Sequence, residues 1–370
     1  MSGPSPSGAV VDHLTVIITT SPVPSAPSTE LLTDVLDSFA RHCPLLLRCR
    51  VIVVFDSYER VCARARLKKG AVTAEQAAAF AAYVASVKAL VLRRFGRCDG
   101  AGASPLERSA GEAEFGSPFD PANAVPLVQL RTADGRVTFV EPARCLGFSL
   151  AVRSALRLAA TRYVWVHQHD WRLTTTIPVA SMLSIMRERD ADDVAPVRYI
   201  CLPSVRLLNY AAQSDNTRFA AFRQLTQRLK QVFHAGPHSD GLEGAEPVSL
   251  TPLFFWFDKP HIASTAHYLR CVFPSRYATR RSTFIEDTIG HRMRELIKND
   301  PEAWAKFATW LYYPGEGETL CLKHLDGRVW RGSDGEKKAA EKWRSANGAH
   351  HSGSKSSSAV EEKGKGDRFT

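Results

Sequence analysis

Polar side chains that could contact a ligand follow three apolar runs of the chain. In order of sequence these side chains are Thr19, Thr20 and Ser21, then Asp56, and then Gln168, His169 and Asp170. Ligands of open α/β sheets bind beyond the carboxyl ends of the strands, where such residues collect. The three segments are therefore predicted to form one binding site, provided that each apolar run is a strand of the same sheet.

Asp56 is placed to bind a nucleoside. An aspartate after the second strand of a β-α-β unit can accept hydrogen bonds from a ribose or a base. Together with Ser57 it could equally form a turn. The sequence holds no G-x-G-x-x-G after the first apolar run and no G-x-x-x-x-G-K-[ST], so an ordinary dinucleotide dehydrogenase and a P-loop NTPase are disfavoured.

Asp170 is predicted to bind a divalent cation, because a carboxylate at the end of a buried strand is a natural oxygen ligand for Mg²⁺ or Mn²⁺. His167 and His169 lie two residues apart. They would face the same side of an extended strand and could bind zinc or copper. In the alternative interpretation, one histidine packs under the sheet and the other lines a polar cleft.

The elements that position these residues begin with a β-α-β unit. Residues 14–19 and 49–55 are apolar, rich in β-branched side chains and of strand length. Between them, a helix with apolar residues at helical spacing follows a Pro-rich loop, and Ser28 or Thr29 can cap it. A short polar stop after each strand is typical of a parallel, doubly wound α/β sheet.

Further elements are predicted along the chain. Strands are predicted at 136–140, 163–166, 197–202 and 253–257, and helices at 71–95, 147–160, 218–233 and 283–298. The Gly/Ser/Pro-rich residues 98–123 are predicted to be a surface insertion. Residues 1–11 are predicted to be flexible and residues 331–370, rich in Ser, Gly and Lys, to be disordered. One domain remains, over residues 12–330.

The composition limits the classes of protein. The 370 residues are 44% hydrophobic and 23% charged, which excludes a wholly disordered or collagen-like chain. Eight cysteines occur without a C-x-x-C pair, so we expect reduced thiols in a cytoplasmic protein. No secretory signal is predicted, and no window approaches the roughly 20 apolar residues of a membrane span.

The net charge of +10 raises the expectation of an anionic partner, whether nucleic acid, an acidic membrane surface or a phosphate-bearing small molecule. Nucleic acid is the least expected of these. The sequence has no RNP-like aromatic signature, no C₂H₂ spacing and no continuous basic helix.

The order of elements resembles the GT-A glycosyltransferases, in particular the large inverting family 2. Three segments carry the resemblance: TVIITTSP at 15–22, VIVVFDS at 51–57 and GFSLAVRSALRLAATRYVWVHQHDW at 147–171. The last segment is similar to the family's Gly-led helix, apolar strand and DXD-type acidic motif. Gln168 replaces the first Asp of that motif, and Asp170 keeps the last acidic position.

The resemblance implies a GT-A-like, Rossmann-like fold with a mixed, mostly parallel sheet flanked by helices. It implies transfer of a sugar from a nucleoside diphosphate donor, such as a UDP- or GDP-sugar, to a hydroxyl acceptor (glycan, lipid or protein), with inversion. The donor would be bound by Thr19, Thr20, Ser21, Asp56, Arg153, Gln168, His169, Arg280 and Arg281. Asp170 and His324 would hold Mn²⁺ or Mg²⁺.

The resemblance also extends to Glu286 and Asp287, which look like the acidic pair that supplies the catalytic base in such enzymes. An inverting transfer requires a carboxylate to remove the proton of the attacking hydroxyl, and Asp287 is the predicted base. A structural alternative exists for Glu286. Thr283-x-x-Glu286 is a capping box, and negative charge is favoured in the first turn of a helix.

Two other functions remain open. A nucleotidyltransferase on a related sheet normally carries a basic, Gly-rich loop after the first strand, whereas this chain has no Lys or Arg between His13 and Arg41. A non-catalytic module that binds carbohydrate or nucleic acid through the basic surface would show steep salt dependence and no binding of UDP or GDP.

Overall fold

The computed structural model describes residues 11–96, 105–234, 246–338 and 341. The chain divides into two compact units, residues 1–330 and residues 331–370. The second unit has the same bounds as the tail that was predicted to be disordered. Within it, residues 333–338 are helical, and residues 339, 340 and 342–370 lie outside the described residues, as do residues 1–10 of the N-terminal segment.

The β-α-β unit predicted at the start of the chain is present. Strand β1 (Leu14–Thr20) is buried along its whole length, and β2 (Arg50–Phe55) is buried except for its first residue. Helix α1 (Glu30–His42) connects them and buries Leu31, Leu32, Val35, Leu36 and Phe39 on one face. The two strands are parallel neighbours, so their carboxyl ends lie at the same edge of the sheet.

The other strands are short, as is usual for a sheet of this size. They are β3 (Arg60–Val61), β4 (Ala71–Val72), β5 (Glu107–Glu114), β6 (Ala124–Arg131), β7 (Val137–Pro142), β8 (Tyr163–Gln168), β9 (Trp171–Leu173), β10 (Tyr199–Cys201), β11 (Gln231–Phe233), β12 (Val248–Pro252), β13 (His261–Ser264), β14 (Thr309–Tyr312) and β15 (Leu322–His324). β9 pairs with β15, and β3 pairs with β4, in two small additional sheets.

The central sheet has eleven strands in the order β11-β12-β14-β10-β13-β8-β1-β2-β7-β6-β5. Three strands, β6, β12 and β13, run against the direction of the other eight. The predicted fold class, a mixed and mostly parallel α/β sheet flanked by helices, is confirmed. Because β8, β1 and β2 are adjacent and parallel, the three polar segments named above meet at one edge.

The remaining helices pack around this sheet or connect its strands. They are α2 (Ala74–Phe95), α3 (Phe148–Leu158), α4 (Val179–Glu188), α5 (Ser214–Thr217), α6 (Ala220–Leu229), α7 (Thr265–Cys271), α8 (His291–Asn299) and α9 (Trp304–Phe307). Helix α3 begins after Gly147, whose φ is +78°. A Cβ atom on Gly147 would lie 2.5 Å from the Cα of Ser282, so this turn requires glycine.

Helix α2 alone among the described helices is long and apolar enough to cross a membrane, and 28% of its most apolar window is buried. No window of this kind was expected from the sequence. Phe80, Tyr83, Val87, Leu90 and Phe95 are buried along one side of α2, which contacts β2 and β7 of the central sheet. Length and composition alone are weak indications of a membrane span, and this helix uses its large apolar side chains for packing.

Some elements differ from the sequence-based expectation. The predicted surface insertion, residues 98–123, contains β5, which pairs along its whole length with β6 at the edge of the central sheet. Residues 97–104 lie outside the described residues. The strand predicted at 253–257 lies instead at β12, five residues earlier, and Phe254 and Trp256 are buried without forming a strand.

The two long helices predicted at 218–233 and 283–298 are shorter than expected. The first ends at Leu229, and the chain continues as strand β11. The second opens with one turn of π-helix, Glu286–Gly290, before α8. Such turns often lie at functional sites, and this one contains the acidic pair Glu286 and Asp287.

Candidate active site

Two adjoining cavities open at the carboxyl edge of β8, β1 and β2. Cavity A, about 600 Å³, is lined by residues that include Thr19, Thr20, Ser21, Asp56, His169 and Asp287. Cavity B, about 650 Å³, is lined by residues that include Asp170, Trp171, Asp258, Glu286 and His324. Gln168, Phe284 and Arg328 line both cavities, so these three side chains mark the junction. Each cavity has the volume of a typical small-molecule site.

The end of β1 is tied to the end of β8 through His169. The Oγ1 of Thr20 lies 2.6 Å from the Nδ1 of His169 and 2.8 Å from the phenolic oxygen of Tyr83. The backbone N–H of Ser21 donates to the same His169 Nδ1 at 3.3 Å, which makes this nitrogen an acceptor. Burial lowers the pKa of His169, so the ring is neutral near pH 7 and fixes the shape of cavity A.

Asp56 holds the turn that leads into α3. Its carboxylate accepts the N–H of Leu146 at 2.6 Å and the N–H of Gly147 at 3.1 Å. Burial raises the pKa of Asp56 to about 6, although the two N–H groups act in the opposite direction. The side chain also lines cavity A. Asp56 therefore serves the turn and remains placed to contact a bound ligand.

Asp170 and His324 form a pair on one wall of cavity B. The Nε2 of His324 lies 3.2 Å from the Oδ2 of Asp170, which also accepts the N–H of Gly327 at 3.2 Å. Burial alone would raise the pKa of Asp170, but the hydrogen bond from His324 and nearby positive charge outweigh it and lower the pKa. The hydrogen bond to Asp170 raises the pKa of His324.

The other carboxylate oxygen of Asp170, Oδ1, is buried and has no hydrogen-bond partner in the described part of the chain. A buried, unpaired carboxylate oxygen is costly unless a ligand satisfies it. The Nδ1 of His324 lies 2.7 Å from the Oδ1 of Asp326, so the Nε2 of His324 could bind a cation only in place of its hydrogen bond to Asp170. An oxygen ligand from Asp170 and a nitrogen ligand from His324 would together suit Mn²⁺. Within the described ranges no group of three or more His, Cys, Asp or Glu side chains is close enough to hold a metal.

The acidic pair Glu286 and Asp287 is divided between the two cavities. Glu286 lines cavity B, whereas Asp287 is exposed and lines cavity A. The carboxylate of Asp287 has no hydrogen-bond partner or ion pair among the residues that the structure describes, which leaves it available to a ligand. One π-helical turn thus places one carboxylate in each of the two adjoining cavities.

The capping box predicted at Thr283 is replaced by a long-range arrangement. The Oγ1 of Thr283 donates to the carbonyl of Arg280 at 2.8 Å and does not cap Glu286. Instead, the Oδ2 of Asp258 accepts the N–H of Ile285 at 3.0 Å and of Glu286 at 3.4 Å. Burial raises the pKa of Asp258 well above its usual value, and the charge of Glu286 acts in the same direction.

Gln168, at the end of β8, is tied to the segment that follows β12. Its Nε2 donates to the carbonyl of Asp258 at 2.8 Å. A carboxylate at this position would have no proton to donate and would face a carbonyl oxygen. Gln168 therefore connects the end of β8 to the segment that holds Glu286, and it lines both cavities without supplying a negative charge.

Three arginines assigned to the donor site lie elsewhere. Arg153 is buried, and its guanidinium donates to the carbonyl of Glu114 at 2.6 Å, so it anchors α3 to β5. Arg281 is paired in a bidentate manner with Glu59 at 2.7 and 3.0 Å. Arg280 is exposed, and neither it nor Arg281 lines cavity A or cavity B.

The two histidines considered for zinc have separate structural roles. His167 is fully buried, accepts a hydrogen bond from the indole N–H of Trp165 at 3.1 Å, and lies 2.6 Å from the carbonyl of Trp171. Burial lowers the pKa of His167 to about 4. This matches the alternative interpretation, in which one histidine packs in the sheet while the other, His169, lines a polar cavity.

Several cations at the site were not predicted from the sequence. Arg328 lines both cavities and lies 5.6 Å from the ring centroid of Phe284. Lys68 and Lys69 line cavity A. Their segments carry no apolar periodicity or recognisable motif, and the net positive charge of the chain was the only signal that could have pointed to them.

Comparisons with known proteins give structural similarity alone. No family model and no curated protein matches the chain. It is similar to the mannosyltransferase PcManGT from Pyrobaculum calidifontis in complex with GDP-Man and Mn²⁺, with 14% identity over 70% of this chain and 46% of that one and a TM-score of 0.31. It is also similar to TarS of S. aureus, with 10% identity over 84% of this chain and 36% of that one and a TM-score of 0.35.

This chain thus spans less than half the length of either protein. Similarity at this level assigns the chain to no family and to no activity.

Proposed function

We propose that the protein is a glycosyltransferase that moves a sugar from a nucleoside diphosphate donor to a hydroxyl acceptor with inversion. The observation that carries this proposal is the pair of adjoining cavities with one carboxylate of the Glu286–Asp287 pair lining each. A transfer reaction needs two substrates to meet at one point with a base beside it. The junction at Gln168, Phe284 and Arg328 offers that point.

Cavity A is the proposed donor site. Asp56 lies at the end of the second strand of the β-α-β unit, where a ribose or base is bound in open α/β sheets. Thr19, Thr20, Ser21 and His169 supply further polar groups, and Lys68 and Lys69 supply positive charge for the diphosphate. Arg328 is placed to reach the diphosphate at the junction. Arg153, Arg280 and Arg281 have no part in this proposal, because they lie outside the cavity.

The proposed cation site is Asp170 with His324. A Mn²⁺ or Mg²⁺ ion bound there would neutralise the negative charge that develops on the departing diphosphate. The free, buried Oδ1 of Asp170 supports this assignment, since a cation would satisfy it. The donor's phosphate oxygens would complete the ligand set.

In the proposed reaction, the acceptor hydroxyl oxygen attacks the anomeric carbon from the side opposite the diphosphate. The new carbon–oxygen bond forms as the bond to the phosphate oxygen breaks, and the bonding electrons leave with the nucleoside diphosphate. Asp287 takes the hydroxyl proton, because its exposed carboxylate has no other partner among the described residues. Glu286 orients the acceptor from cavity B.

Calorimetric titration with a panel of nucleoside diphosphates that includes UDP and GDP, with and without Mn²⁺, tests the donor site. At least one member is expected to bind, and Lys69→Gln is expected to weaken it about tenfold through loss of a charge-assisted contact. Lys306→Gln, an exposed lysine outside both cavities, is the matched control. Failure of the whole panel to bind the wild-type protein would refute the proposal.

A further inference from the structure

Cavity B has cations of its own. Arg206, Lys259 and Lys323 line cavity B and do not line cavity A. They come from three separate segments of the chain and converge on one space. None of the three forms an ion pair with a carboxylate within the described ranges. Four carboxylates, Asp170, Asp258, Glu286 and Asp326, also line cavity B, but no ion pair joins any of them to these three cations in the described part of the chain. The three cations are therefore free to contact an anionic ligand.

Lys259 is the most buried of these three cations. It is half-buried, and its Nζ lies 4.1 Å from the ring centroid of Phe257. Burial lowers the pKa of Lys259 and the charge of Arg206 acts in the same direction, although the charges of Glu286 and Asp258 oppose them. A bound anion would relieve the repulsion between these two cations and replace the water that Lys259 has lost.

Cavity B also holds unsatisfied polar groups suited to hydroxyls. The Oγ of Ser204 and the Oδ1 of Asp258 are buried and have no hydrogen-bond partner in the described part of the chain. Both residues line cavity B, and Ser204 is only 2% exposed. Trp171, whose ring lies 4.5 Å from that of His324, adds a flat apolar surface on the same wall. A polyhydroxylated ligand can use all three features.

The donor does not account for these cations. Cavity A has its own pair, Lys68 and Lys69, and Arg328 is shared at the junction. A nucleoside diphosphate in cavity A is therefore provided with three cations before those of cavity B are counted. Arg206, Lys259 and Lys323 are thus left for a second anionic ligand in cavity B.

We infer that cavity B binds the acceptor and that this acceptor is a sugar or polyol bearing a phosphate group. Three cations from separate segments of the chain suit the doubly charged, three-oxygen phosphate better than a single carboxylate. The phosphate would contact Arg206, Lys259 and Lys323, and a hydroxyl would point toward Glu286 and the junction. The acceptor role rests on the proposed function, whereas the ligand class rests on cavity B alone.

Calorimetry with matched pairs of compounds tests the inference. Glucose 6-phosphate and glucose, and glycerol 3-phosphate and glycerol, are titrated into the full chain whose cavity A is saturated with whichever nucleoside diphosphate binds. At least one phosphorylated compound is expected to bind about tenfold or more tightly than its unphosphorylated partner. Arg206→Gln combined with Lys323→Gln is expected to remove that preference without changing the affinity for the nucleoside diphosphate. Lys306→Gln is expected to change neither.

Equal affinities within every pair would overturn the inference, and so would a double variant that weakens the nucleoside diphosphate instead. If no nucleoside diphosphate binds, the compounds are titrated alone. Phosphate-selective binding that needs Arg206 and Lys323 would then uphold the ligand class of cavity B, while the acceptor role would fall with the proposed function.

Discussion

The side chains of Asp258 and Glu286 each accept a hydrogen bond from the other residue's backbone N–H. The Oδ2 of Asp258 accepts the N–H of Glu286 at 3.4 Å and that of Ile285 at 3.0 Å, while the Oε2 of Glu286 accepts the N–H of Asp258 at 3.3 Å. This is the reciprocal arrangement of a capping box, formed between residues 28 positions apart instead of three. It fixes the π-helical turn that presents Glu286 and Asp287 to the two cavities.

Removal of the Asp258 side chain should therefore release that turn. Asp258→Ala leaves two backbone N–H groups without their acceptor and is expected to cost about 2 kcal/mol or more of unfolding free energy, measured by urea denaturation. Asp258→Asn keeps one oxygen acceptor in a neutral side chain of the same shape and is expected to stay within about 1 kcal/mol of wild type. Equal losses in the two variants would show that the reciprocal hydrogen bonds do not stabilise the turn.

The raised pKa of Asp56 predicts a pH-dependent stability. Its folded-state pKa of about 6 lies above the ordinary value of 3.8, so the folded protein binds more protons than the unfolded chain between these pH values. The contribution of Asp56 to unfolding free energy must then fall as pH rises from about 4 to 6. Asp56→Asn removes this slope. The unfolding free energy of the wild type minus that of Asp56→Asn, measured by denaturation across that range, should therefore decrease as pH rises. Parallel curves would contradict the assignment.

Gly147 is expected to tolerate no side chain. Its φ is +78°, and an added Cβ would meet the backbone of Ser282, only 2.5 Å from its Cα. Gly147→Ala should cost about 2 kcal/mol or more in thermal or chemical unfolding. Gly111→Ala on the edge strand β5 is the control, because there the added Cβ would meet only the end of the Gln129 side chain. If Gly147→Ala has the same unfolding free energy as the wild type, the turn can move to accommodate a Cβ atom and does not require glycine.

Arg153 is expected to act on stability and not on donor affinity. Its guanidinium is buried and donates to the carbonyl of Glu114, so Arg153→Ala should destabilise the protein by about 1–3 kcal/mol. Arg157→Ala is a control, since its ion pair with the same Glu114 is largely exposed and worth about 1 kcal/mol or less. Loss of nucleoside diphosphate binding in Arg153→Ala at unchanged stability would instead restore the role predicted from the sequence.

Much of the central sheet could be predicted because its strands are continuous apolar runs ended by polar residues. That pattern located β1, β2 and β8 and brought Thr20, Asp56 and Asp170 to one edge. It failed at residues 253–257, where Phe254 and Trp256 are buried in an irregular segment whose burial resembles that of a strand. It also failed at β5, an exposed edge strand of Gly, Ser and charged residues without an apolar alternation.

The candidate site was predictable only in part, for a related reason. Residues that end a buried strand have a local signal, whereas Asp258 and Arg328 reach the site through tertiary contacts. Asp170 and Asp287 come from distant parts of the chain and line two adjoining cavities that share Gln168, Phe284 and Arg328. The cations of cavity B are visible only when three distant segments are brought together.

Turnover by Asp287→Asn tests the central claim most directly. The wild-type protein and the variant are incubated with a panel of nucleoside diphosphate sugars and hydroxyl acceptors, and release of nucleoside diphosphate is measured beside donor affinity and melting temperature. We expect release by the wild type to fall by about 10²-fold or more in Asp287→Asn, with donor affinity and melting temperature nearly unchanged. Release at the wild-type rate by Asp287→Asn, or no release from any donor by the wild type, would contradict the proposed sugar transfer.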